Sequence, residues 1–118
     1  MTTATTPEEE FAVNQAFLEH IRKGVMIQCV VAAVEGADVA DAAAFDRDVL
    51  DRVVAMSPPD AFGRMMVRSL AAMELADLRR GEPPFEERVA GARARFEEMS
   101  PDSRRSFLFA YGGGEGTA

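Results

Sequence analysis

The chain has one cysteine, one histidine, one lysine and no tryptophan among its 118 residues. A lone cysteine, Cys29, cannot close an internal disulfide, and a lone histidine, His20, cannot anchor a multi-histidine metal site. Nothing here asks for an oxidising compartment, so the expected setting is reduced, intracellular and cytoplasmic. Long apolar runs are missing as well. The longest nearly uncharged stretch, Gly24 to Val34, is eleven residues, about half of the ~20 that a membrane-spanning helix needs. Met1 to Glu10 is polar and acidic, where an export signal has a basic start followed by an apolar run. Basic charge is also in short supply. Thirteen lysines and arginines face 20 acids, a formal charge of −7, which disfavours a protein whose main affinity is for nucleic-acid phosphates or an anionic membrane. Neither a nucleic-acid partner nor a membrane partner is expected.

What remains is 47% hydrophobic and 28% charged, a composition that closes one core in one domain. The expected fold is all-α: a small bundle of four main helices plus a short fifth. The expected organisation is a flexible lead over residues 1–7, a single helical domain over 8–111 and a disordered Gly-rich tail over 112–118.

The first helix is expected to start near Pro7, with Glu8, Glu9 and Glu10 at the end where a helix favours negative charge. At about 100° per residue, Phe11, Leu18, Ile21, Val25, Cys29 and Ala32 share one side of it. Its second half is apolar on the opposite side too, through Ile27, Val31 and Val34, and something must cover that side. A second copy of the chain is the expected cover, which makes these three residues a candidate homodimer interface. The alternative for Val25 to Val31 is a buried β-strand, since the run is rich in β-branched residues, but no second strand-like segment exists to pair with it.

Gly36 is placed to end the first helix in a left-handed conformation, and Asp38 to cap the second, with Asp41 reinforcing its start. The second helix lines up Ala42, Phe45, Val49, Val53 and Met56 against a face of Asp46, Arg47, Asp48, Asp51 and Arg52. Ser57-Pro58-Pro59-Asp60 is a strong start signal for a third helix, with Ser57 at the cap, Pro58 at the first helical position and Asp60 three residues on, and that helix runs to Arg79-Arg80-Gly81. In that helix Phe62, Met66, Ser69, Leu70 and Met73 form the expected core stripe, and Arg64, Arg68 and Arg79 a basic stripe on the other side. A fourth helix carries Phe85, Val89, Ala92, Phe96 and Met99 along one seam. Met99-Ser100-Pro101 repeats the Met56-Ser57-Pro58 boundary and opens a fifth helix with Phe107, Leu108 and Phe109.

Reactive groups are few. His20 lies away from the apolar side of its helix, and the Glu-x-x-His pairs of a helical di-iron site do not occur. Cys29 sits amid apolar residues, where a thiol behaves as a small hydrophobe with a raised pKa. Asn14 and Gln28 lie toward the same side as amides that can fix helix register. The one Gly-rich run is terminal and follows no strand, so it is no phosphate loop. No cofactor or metal is implied and no catalytic residue emerges.

The third helix is the informative one. Residues 57–81 carry four arginines against three acids and form the one positive segment of the chain. Arg64 is expected to reach the acidic second helix as a structural pair, leaving Arg68 and Arg79 as docking groups that read carboxylate or phosphate. Met65 joins them as an adaptable apolar contact. The leading expectation is a non-catalytic protein-interaction protein, such as an assembly chaperone, adaptor or regulatory subunit. A helical small-molecule binder or enzyme, with a Phe/Met-lined cavity and Arg64 or Arg68 holding an anionic group, is the alternative. A helix-turn-helix DNA binder built from the second and third helices is the third.

Overall fold

The computed structural model describes residues 6–56 and 60–112, with the side chain of Val13 left aside. Five helices follow one another, α1 (Pro7–Val34), α2 (Ala42–Ala55), α3 (Ala61–Arg80), α4 (Phe85–Glu97) and α5 (Pro101–Tyr111). Val25 to Val31 lies within α1, and no strand occurs among the described residues. The expectations for residues 1–5, 57–59 and 113–118 fall outside the described residues.

Capping chemistry sets the helix ends. Thr6 and Glu9 form a reciprocal box at the start of α1: the Thr6 amide donates to the Glu9 carboxylate at 2.8 Å, and the Glu9 amide donates to Oγ1 of Thr6 at 3.0 Å. At its other end Gly36 adopts φ 102°. The Gly36 amide donates to the Ala33 carbonyl and the Ala37 amide to the Ala32 carbonyl, at 3.1 and 2.9 Å, the paired closure that a left-handed residue permits. The cap of α2 is Asp41 rather than Asp38. Asp38 is committed to a local turn, its carboxylate accepting from the Ala40 amide at 3.0 Å. The cap of α3 is Asp60 rather than the expected Ser57, since its carboxylate accepts from the Gly63 amide at 2.7 Å, and Ser100 caps α5 through the Ser103 amide at 3.2 Å.

The long α1 is the hub, packed against each of the other four helices. Ile21, Val25, Cys29 and Ala32 meet Phe45, Val49 and Val53 of α2, Val67, Ala71 and Leu75 of α3, and Phe85 and Val89 of α4 in one buried cluster. The apolar surplus in the second half of α1 is therefore used inside the chain. Val31 is fully buried and Ile27 and Val34 are half-buried, so no second copy is needed to cover Val31. The uncovered part of α1 is its first half, where every described side chain from Thr6 to Phe17 is exposed.

The expected core stripe of α3 is out of phase. Its buried residues are Val67, Ala71 and Leu75, while Phe62, Met66, Ser69 and Met73 are exposed and Leu70 is partly buried. Periodicity weights a helix face by the size of its apolar side chains and treats arginine as a marker of solvent. In this helix the small Val67 and Ala71 let α1 and α2 approach closely, and Arg68 and Arg79 lie along the seam with α2.

Ion pairs hold that seam in antiparallel register. Arg79, late in α3, meets Asp46, early in α2, with Nη2 to Oδ1 at 2.6 Å. Arg68 meets Asp51 at 2.9 Å. Between α1 and α2, Arg52 bridges Glu35 at 2.7 Å and Asp48 at 3.2 Å. Burial works against the Arg52 charge, but its bonds to Glu35 and Asp48 outweigh that effect and raise its pKa further. At the far end Phe96, Phe107 and Tyr111 stack in edge and tilted contacts with centroids 5.5 and 5.0 Å apart.

Candidate functional site

Of the three stripe arginines, the two expected to be free for docking are the two that the structure ties down. Arg79 gives Asp46 two donors, Nη2 at 2.6 Å and Nε at 3.0 Å, and its guanidinium carbon lies 4.5 Å from the centre of the Phe85 ring. It joins α2, α3 and α4. Arg68 is held by Asp51, although both side chains keep about half of their surface in solvent, at 46 and 62%. Arg64, expected to be the structural one, is exposed and makes no ion pair among the described residues. The antiparallel register explains the reversal: Asp46 and Asp51 stand opposite Arg79 and Arg68, whereas four residues before Arg68 the register brings Arg64 to Ala55, the last residue of α2, which carries no acid.

With Arg68 and Arg79 turned to α2, α3 presents its large apolar side chains outward. Phe62, Met65, Met66 and Met73 are 64, 58, 43 and 64% exposed. Phe62, Met66, Ser69 and Met73 follow at steps of four, three and four residues, which lines them up along the helix. Ser69 lies within this row, and Ala72 and Ala76 flank it, all exposed, so another backbone can come close. The sequence points to Met65 as a contact, whereas periodicity places the other three in the core.

On the opposite side of α3 lies a cleft of about 360 Å³ between α1, α2, α3 and the end of α5. Phe17, Ile21 and Ile27 of α1, Val53 and Met56 of α2, and Val67 of α3 make its walls apolar. Gln28 belongs to the same lining and is 1% exposed. Its Nε2 donates to the Tyr111 carbonyl at 2.9 Å and to Sδ of Met56 at 3.0 Å. A carbonyl can only accept, so this contact fixes which end of the amide is which. The other end, Oε1, is buried without a hydrogen-bond partner among the described residues, an omission that costs about 1–3 kcal/mol in a folded protein. Lys23 and His20 also line the cleft, and both are exposed. Neither Arg64 nor Arg68 does. The sequence places Gln28 toward the apolar side of its helix; the cleft beside it needs four helices to come together.

Cys29 lies in the core with no exposed surface. Burial, reinforced by the nearby Asp46 charge and only partly offset by Arg79, pushes its thiol up to about 12. At neutral pH it is therefore an uncharged packing group rather than a nucleophile. No group of three or more His, Cys, Asp or Glu side chains is placed to hold a metal among the described residues. No described helix is long and apolar enough to cross a membrane. No protein-family model, no curated protein and no solved structure matches the chain.

Proposed function

We propose that the protein is a non-catalytic interaction protein, an adaptor, assembly chaperone or regulatory subunit, that docks an amphipathic helix of another protein along the outer face of α3. The observation that carries this reading is the exposed row of Phe62, Met65, Met66 and Met73 on the side of α3 that faces away from its own core. With Ser69 between them, Phe62, Met66 and Met73 follow at steps of four, three and four, those with which one helix lies along another. Unbranched thioethers adapt to such a partner. α3 has four arginines against Glu74 and Asp77, and Arg64 is without an ion pair among the described residues, so the matching helix is acidic on its flanks. Charge also favours a separate partner over a second copy, because two chains of −7 each repel.

The test compares the wild type with a Met66→Asp/Met73→Asp variant in pull-downs from native lysate and in sedimentation equilibrium. The expected result is one stoichiometric protein retained by the wild type and lost by the variant, with both melting at the same temperature. Equal retention by both chains places the interface elsewhere. A wild-type dimer that becomes a monomer in the variant would show that the row pairs with its own copy, which removes the separate partner.

A further inference from the structure

The outer row of α3 leaves the cleft on its inner side without a role, and one observation there concerns a ligand rather than the fold. Gln28 is almost fully buried in the lining of a cleft of about 360 Å³, and its Oε1 has no hydrogen-bond partner among the described residues. Nε2 is already held by the Tyr111 carbonyl and the Met56 sulfur, so turning the amide over would only exchange one unmet group for another. What is missing is a donor. Met56, unbranched and half exposed, is the wall able to swing aside and admit one. The walls ask for an apolar body. At the rim, Lys23 is the one lysine of the chain and makes no ion pair among the described residues, so a negative group is favoured there.

We propose that this cleft binds an apolar organic monoanion carrying an N–H or O–H donor, an aryl or acyl carboxylate or sulfonate, with the donor on Gln28 Oε1 and the anionic group at Lys23. Gly24 lines the cleft between these two residues. A Cβ added there would meet nothing within 4 Å, so the cleft can be narrowed from α1 without a clash in the core. The proposal is independent of the docking face, since Val67 borders the cleft and Met66 and Met73 lie on the other side of α3.

Anilinonaphthalenesulfonate combines the three features, a fused-ring body, an anilino N–H and a sulfonate, and phenoxynaphthalenesulfonate, with an ether oxygen in place of the N–H, is its counterpart of the same shape without the donor. Fluorescence titration and calorimetry are expected to give one site for the first probe and about tenfold weaker binding for the second, the worth of one hydrogen bond to a buried acceptor. Gln28→Leu should remove that tenfold preference while leaving phenoxynaphthalenesulfonate affinity nearly unchanged. Lys23→Gln should weaken both probes severalfold and flatten their salt dependence. Gly24→Leu should abolish binding, and Gly24→Ala, which favours the helix and needs no rearrangement, should weaken it in the same direction. Met66→Asp/Met73→Asp should leave both affinities as they were. The proposal is overturned if the two probes bind equally to the wild type, or if binding follows Met66 and Met73 and ignores Gly24 and Gln28.

Discussion

Arg79 of α3 grips Asp46 of α2 with two donors, at 2.6 and 3.0 Å, while its guanidinium lies over the ring of Phe85 at the start of α4. Only 26 and 30% of the two side chains is exposed, so water screens this pair less than any isolated surface pair. One side chain thus fixes three helices.

Arg79→Ala is expected to lower stability by about 2–3 kcal/mol, because it removes a two-donor pair and a cation–π contact together and leaves Asp46 half-buried. Arg79→Lys should recover little, since a point charge cannot fork across a carboxylate. Denaturant melts of both variants and of Asp46→Asn, assembled into a double-mutant cycle, check this. Additive losses would show that the two residues act independently.

Arg68→Gln and Arg64→Gln should behave differently from Arg79. The Arg68 pair with Asp51 is largely solvated and is worth at most ~1 kcal/mol, less at high salt. Arg64 has no ion pair to lose among the described residues, so its replacement should leave the melting temperature unchanged. If it docks the acidic partner, the same change slows association in a salt-dependent manner, read from on-rates by surface plasmon resonance.

Two neighbouring residues of α3 separate the observed phase of the helix from the expected one. Val67→Ala should cost about 1–2 kcal/mol by opening space in the core, and Met66→Ala, which removes more atoms, should cost less than ~0.5 kcal/mol. Urea unfolding of the two single variants decides it. The reverse order would mean that Met66 is a core residue after all.

Cys29 gives a prediction with a sign. Its thiol, ordinarily near 9, holds its proton to about 12 in the folded chain, so above pH 9 the unfolded state loses a proton that the folded state keeps. Stability must then fall as pH rises, by up to ~1.4 kcal/mol per unit from this group. The difference between wild-type and Cys29→Ala melts should be flat from pH 6 to 8 and grow from pH 9 upward. Ellman's reagent at pH 8 should label the folded chain only at the rate of its opening, and the chain in guanidinium at once.

Much of this molecule is local chemistry and therefore written in its sequence. Thr6 with Glu9, Asp60 before Gly63, Ser100 before Pro101 and Gly36 after Val34 each set a helix end through atoms at most a few residues apart, and the period of Phe45, Val49 and Val53 marks the inner face of α2. Which face of α3 turns inward is a different kind of question. A helix with Phe62, Met66 and Met73 on one side and Val67, Ala71 and Leu75 on another has two apolar stripes, and hydrophobicity alone favours the bulkier one. The choice was made by partners distant in sequence. Asp46 and Asp51 draw Arg79 and Arg68 toward α2, the small side chains beside them let α1 and α2 close in, and the bulky stripe is left outside. The unmet oxygen of Gln28 has the same origin. An amide in an apolar helix is visible in the sequence, but whether its two ends are both satisfied depends on Met56 and Tyr111, residues 28 and 83 positions away, which only the folded chain brings to it.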